Sequence, residues 1–214
     1  MGWDQNSAGI VDDSPVLGAL VTIGVLPSSV ATNPSGPLGG VQAGYNYQIN
    51  KMVYGVEADI SIASINGSNS IVTRGLVPIA TYTTTVDQRL NWFSTLRGRV
   101  GFIEMDHLLF YGAGGLAVVQ SDYSANIHRA AILLNFDVPA STSVTKVGWT
   151  IGAGVEYALD NKWSAKAEYL YYDLDNESIT GNLTIAGIPT PPQATYNFVT
   201  RGSIVRFGLN FKIQ

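Results

Sequence analysis

From Val147 to Tyr157 the chain reads Val-Gly-Trp-Thr-Ile-Gly-Ala-Gly-Val-Glu-Tyr, with large apolar residues alternating against small or polar ones. Tyr54–Ile62, Val41–Tyr47 and Val205–Phe211 repeat the pattern. Strict period two places alternate side chains on opposite faces of an extended strand, whereas a helix needs apolar spacings of three and four. The Gly, Val, Tyr and Ile in these runs are also poor helix formers, and Val, Tyr and Ile are good strand formers. The chain is therefore expected to be all-β.

Short and long connections alternate between these runs. Tight turns are expected at Asn50-Lys51, Glu104-Met105-Asp106 and Asp160-Asn161, and long loops at 9–37, 67–86, 125–143 and 179–194. Strands are predicted near Met1–Ser7, Leu38–Ile49, Met52–Asn66, Asp87–Ile103, His107–Ser124, Val144–Leu159, Lys162–Ser178 and Thr195–Ile213. An even number near eight, with both termini on the short-turn side, is the pattern of a transmembrane β-barrel. The sequence thus predicts one domain over 1–214, an eight-stranded antiparallel transmembrane barrel with short periplasmic turns and long extracellular loops. No stretch reaches the roughly 18 apolar residues of a spanning helix. Val16–Leu26, the longest apolar run, has no basic region before it, as a signal peptide would.

The two faces of the strands decide which solvent each meets. One carries Val147, Trp149, Ile151, Val155, Tyr157, Trp163, Tyr169, Tyr54, Val56 and Ile60; the other carries glycines and threonines with Glu57, Asp59, Arg97, Arg99, Glu156, Lys166, Glu168 and Arg206. An eight-stranded barrel has an interior only wide enough for side chains to fill it, so charged chains fit inside only beside small neighbours. The small-and-charged face is expected inward and the bulky face outward. A soluble barrel would reverse this, and the bulky belt would aggregate in water. Four inward carboxylates face four inward cations. They form either an ion-selective passage or a salt-bridged plug, and the narrowness of the lumen favours the plug. Tyr45, Tyr47, Tyr54, Trp163 and Phe211 near the turn ends suit an interfacial aromatic girdle.

The segments Gly39–Tyr47, Val53–Asp59, Trp92–Gly101, Tyr111–Ala117, Gly148–Tyr157 and Lys166–Leu174 resemble, in order, the outer-membrane β-barrel "porin family" proteins of Gram-negative bacteria. The resemblance implies a small OmpA-like barrel in the outer membrane, surface-exposed, often an abundant surface antigen, and too narrow to be a general diffusion pore. It also implies contact with membrane lipid and lipopolysaccharide, and some relatives bind haem at the cell surface. Two departures stand out. The chain ends Phe211-Lys212-Ile213-Gln214 where the family has a terminal aromatic residue, and its first strand is short, as if the sequence began inside or just before it.

Other chemistry finds little material. With only 12 Lys and Arg and a net charge of −4, nucleic-acid binding has no electrostatic basis, and the absence of cysteine removes thiolate metal sites and thiol nucleophiles. No His, Asp and Glu cluster has ligand spacing, so no cofactor and no catalysis are expected. His128, with Tyr82, Tyr123 and Tyr196, is what the outer loops could offer to haem, but tyrosines are common at strand–loop junctions. The apolar residues Val16, Leu17, Leu20, Val21, Ile23, Val25 and Leu26 do not suit a solvated loop. They are expected either to contact another outer-membrane protein or a second copy, or to fold onto the chain's own barrel mouth.

Overall fold

The structure, a computed structural model, describes all residues except 5, 13–14, 76–79, 106, 132–134, 186–187 and 214. Alternation yields extended chain, as the sequence requires. The elements in order are β1 (Gly2–Asp4), β2 (Asn6–Asp12), α1 (Pro15–Thr22), β3 (Ser29–Thr32), β4 (Ser35–Gly36), β5 (Leu38–Ile49), β6 (Met52–Arg74), β7 (Thr81–Glu104), β8 (Leu108–Ala130), β9 (Phe136–Ala158), β10 (Trp163–Ile185) and β11 (Ile188–Phe211). All strands belong to one antiparallel sheet in which β6 through β11 pair in sequence order.

Eleven strands among the described residues replace the expected eight, and the three extra ones all lie within the first 36 residues. The segment expected as a loop over 9–37 carries most of β2, α1, β3 and β4, because Asn6–Gly9 pairs with Ser29–Thr32 and Ser7–Asp12 also pairs with β11. The other three expected loops are strand for most of their length. Most of their Ser, Thr and Asn residues face outward, while Tyr82, Thr84, Val86, Ile127, Val138 and Ala194 alternate inward and are buried. The expected turns at Asn50 and Met105 are present, each with a left-handed φ, 55° and 52°. Asp106 lies outside the described residues.

At its start the sheet pairs unevenly. β1 lies between β11 and β4, with Gly2 opposite both Ile204 and Gly36. β4 and β5 meet β6 in one register, Ser35 opposite Asn66 and Leu38 opposite Ala63. Beyond β1, toward the turns, β5 pairs only with β6, and no strand covers its outer edge among the described residues.

The interior is layered. Nearest the turns lie the charged side chains. Above them an apolar layer gathers Ala63, Ile65, Leu90, Phe93, Val119, Leu170, Tyr172, Leu174 and Ile204. Toward the far end a second apolar cluster holds Val30, Val86, Tyr123, Ile127, Tyr196 and Phe198 together with Val25 and Leu26. The outer surface near the turns is the reverse, with Tyr45, Val56, Ile62, Leu96, Trp149, Ile151, Phe207 and Leu209 all at least half exposed.

Candidate functional site

β6, β7 and β10 present their charged residues every second position, so each pair stacks inward one pleat apart: Glu57 and Asp59, Arg97 and Arg99, Lys166 and Glu168. Antiparallel pairing sets Glu57 opposite Arg97, Lys166 opposite Glu156, and Glu168 opposite Arg206. Because the sheet curls, side chains from non-adjacent strands also meet. The structure brings all eight charged residues read from the sequence into one cluster.

Arg97 is its centre. One guanidinium nitrogen donates to Glu168 Oε1 at 2.8 Å and the other to Glu57 and to Asp59 Oδ2, the latter at 3.1 Å. Lys166 Nζ lies 2.9 Å from Glu57 Oε1, and Arg206 Nε donates to Glu168 Oε2 at 2.6 Å while its Nη1 lies 3.0 Å from Asp59 Oδ1. Arg99 Nη1 donates to Glu156 Oε2 at 3.0 Å. The side chain of Arg97 is 1% exposed, and those of Asp59 and Glu168 are 2% and 1% exposed. Burying ions this deeply is costly, and only mutual pairing with satisfied hydrogen bonds offsets it. Four negative and four positive groups leave no net charge in the layer.

Sequence reasoning missed two buried polar side chains, Tyr111 and Lys146. Tyr111 donates its hydroxyl to Glu168 Oε1 at 3.1 Å and carries Arg99 over its ring at 5.1 Å. Its inward phase on β8 was the available signal. Lys146, higher on β9, is buried with its ammonium 3.2 Å from Thr200 Oγ1 and 4.7 Å from the Tyr123 ring centre. It belongs to a separate level, between the two apolar clusters.

The remaining sequence candidates are placed as follows. In the 16–26 segment, Val25 and Leu26 are 4% and 1% exposed inside the far-end cluster, Leu20 and Val21 pack against it, and Ile23 is 51% exposed. Val16 and Leu17 lie in α1, and their side chains are outside the described set. The helix ends in a left-handed Gly24 (φ 74°), with Val25 and Leu26 both donating to Leu20 O, and this turn swings the two apolar residues inward. His128 lies on β8 at the surface, its Nδ1 2.8 Å from Asp137 Oδ1. Tyr82, Tyr123 and Tyr196 are buried at 7% exposure or less and present no surface to a porphyrin. No group of three or more metal-binding side chains occurs among the described residues.

The outer membrane protein beta-barrel domain profile matches residues 12–211. The 31 kDa outer-membrane immunogenic protein of Brucella melitensis biotype 1 is 37% identical over 187 residues, which cover 86% of this chain and 69% of that protein. The 22 kDa outer membrane protein of Rhizobium leguminosarum bv. viciae is 32% identical over 149 residues, 66% of this chain and 58% of its own length. Among solved structures, the attachment invasion locus protein of Yersinia pestis aligns over 97% of this chain and 95% of its own, at 11% identity and a TM-score of 0.34.

Proposed function

The chain belongs to the outer membrane protein beta-barrel domain family, and from that premise we propose that it is a surface-exposed, structural outer-membrane barrel with a sealed lumen and no catalytic role. In this reading eight staves enclose the interior. β1 and β2 form the first, β3 to β5 the second, and β6 through β11 the remaining six. The short turns face the periplasm, and the Ser- and Thr-rich far half stands above the membrane, where it meets lipopolysaccharide and neighbouring proteins. The exposed apolar belt meets lipid, and strand pairing on both sides satisfies the backbone of β6 through β10 there.

The observation that carries the sealed lumen is the cross-paired cluster around Arg97 lying directly beneath an apolar layer. An ion entering from the turn end would have to displace at least one of several bonded charges and then cross Phe93, Leu170 and Tyr172, all no more than 1% exposed. A conducting pore needs sites weak enough to leave, and buried multidentate pairs are the opposite. Planar-bilayer recording tests the reading. The purified protein is expected to give no stable single-channel steps, and large ion-selective conductance would refute it.

A further inference from the structure

We propose that the buried ammonium of Lys146 is the core of a binding site for one small monovalent anion of chloride size, reached through a gap in the wall between β9 and β10. The site lies above the apolar layer, apart from the Arg97 cluster, and does not depend on the sealed-lumen reading.

Its charge has no protein counter-ion at hand. Lys146 is 3% exposed and sits between the two apolar clusters. Its ammonium donates to Thr200 Oγ1 at 3.2 Å and rests 4.7 Å from the Tyr123 ring centre. Among the described residues no carboxylate oxygen lies within 4.0 Å of it. Glu177 and Asp175, whose charge does reach it, stand across the gap on β10, and Asp175 is exposed. The Arg97 cluster is already balanced, so it has no surplus negative charge to offer. A buried ion left in this way is strongly destabilising unless a counter-ion joins it.

The surroundings supply donors. Val119 is opposite Lys146 and Ser121 is opposite Val144, so Ser121 is the next inward residue up β8. The lysine side chain starts level with Val119 and ends at the ring of Tyr123, so it passes Ser121. Ser121 is fully buried, and its hydroxyl has no partner among the described residues. Of the three ammonium N–H groups, one goes to Thr200 and the ring face occupies a second. The third N–H and the Ser121 O–H are two donors on one side of a positive charge. A single cation between two packed layers selects an ion of one atom and one charge.

The wall beside the site gives access. The β9–β10 ladder reaches Leu174 opposite Gly148, then lapses until Thr184 opposite Asp137. Lys146 lies two residues beyond the last pair. Thr142 and Val144, both in the inward phase of β9, are partly exposed here, as is Glu177 opposite the buried Phe198. Level with them on β8, Ser121, Tyr123 and Ala125 are at most 3% exposed. The wall is therefore thin on the β9–β10 side alone.

Exchanging gluconate for chloride at constant ionic strength tests the site in the detergent-folded chain. The unfolding midpoint is expected to rise by about 3–6 °C for each tenfold increase in chloride above the dissociation constant. Lys146→Met keeps the bulk, removes the charge and should abolish this response. Ser121→Ala should keep the response with several-fold weaker affinity. Glu177→Gln should leave it in place, and a response that appears only in that variant would make Glu177 the native counter-ion and overturn the proposal. A wild-type midpoint indifferent to chloride overturns it as well, since the amine is then neutral or paired internally. An equal response in Lys146→Met marks a general salt effect and does the same. If Lys146→Met does not refold, wild-type crystals grown in bromide decide the matter. An anomalous peak in contact with Lys146 Nζ is expected, and its absence there overturns the proposal.

Discussion

Lys166 Nζ on β10 donates to Glu57 Oε1 on β6 at 2.9 Å, although four ladder steps separate the two strands along the sheet. The contact therefore ties opposite walls across the interior. Glu57 also accepts from Arg97 and lies 3.6 Å from both Arg99 Nη1 and Arg206 Nη2, so one carboxylate answers four cations. Glu57→Ala leaves those cations under-paired in a buried layer and is expected to lower unfolding free energy by about 3–5 kcal/mol. Removing Lys166 as well should cost less than the sum of the single changes, because the two share one interaction. Urea unfolding in lipid vesicles, followed by tryptophan fluorescence, measures both. An unchanged midpoint for Glu57→Ala would mean that water, not Glu57, neutralises this layer.

Above the charges, Phe93 and Tyr172 pack with ring centres 5.2 Å apart, each 1% exposed or less. Phe93→Ala opens a cavity and is expected to cost about 3–5 kcal/mol. The charge layer beneath stays intact, so bilayer recordings should remain silent. Conductance steps in Phe93→Ala would show that the apolar layer alone holds the seal.

Much of this was legible in the sequence, and the parts that were not share a cause. Glycine and threonine alternating with Trp, Ile and Val gave the strands, their phase and the eight inward charges, because period two fixes which residues share a face and the small neighbours mark the charged face as the inner one. Phase is lost where a strand bulges. Leu90 and Phe93 are both buried although three residues apart, because the β7–β8 register shifts between Leu90 and Trp92. A second shift, between Leu174 and Glu177, changes the inward set on β10 from even to odd residues. The far half looked like loops because its outward residues are Ser, Thr and Asn, which hides the apolar residues alternating with them. Lys146 escaped notice because a lone lysine beside Val144 and Val147 gives no pairing signal.

The 16–26 segment separates self-packing from partner binding by a simple pair of changes. Leu26→Asp puts a charge into the far-end cluster and is expected to lower stability by about 2–4 kcal/mol, with Leu20→Asp acting in the same direction. Ile23→Asp, half exposed, should stay within about 0.5 kcal/mol. Thermal unfolding and light scattering in detergent check this together. Dissociation of an oligomer by Leu20→Asp, with stability unchanged, would instead make the segment a contact with a partner.

The β9–β10 turn supplies a pH-dependent test outside the membrane belt. Asp160 Oδ1 accepts from the backbone N–H of Lys162 and of Trp163, both at 2.7 Å. These two bonds, Lys162 first, hold the Asp160 carboxyl below the usual carboxylate range, because they favour its charged form. A depressed folded value means that the contribution is present above the ordinary aspartate range and is lost as pH falls through the folded value. Protonation removes charge from the acceptor, and the turn should then release both amides. Hydrogen exchange at Lys162 and Trp163, corrected for intrinsic rates, is expected to be slow near about pH 6 and to accelerate near about pH 2. Asp160→Asn keeps an acceptor oxygen, so it should retain partial protection with no pH step, while Asp160→Ala should expose both amides at either pH. Equal protection of the wild-type amides at both pH values would show that the strands, not the aspartate, hold this turn closed.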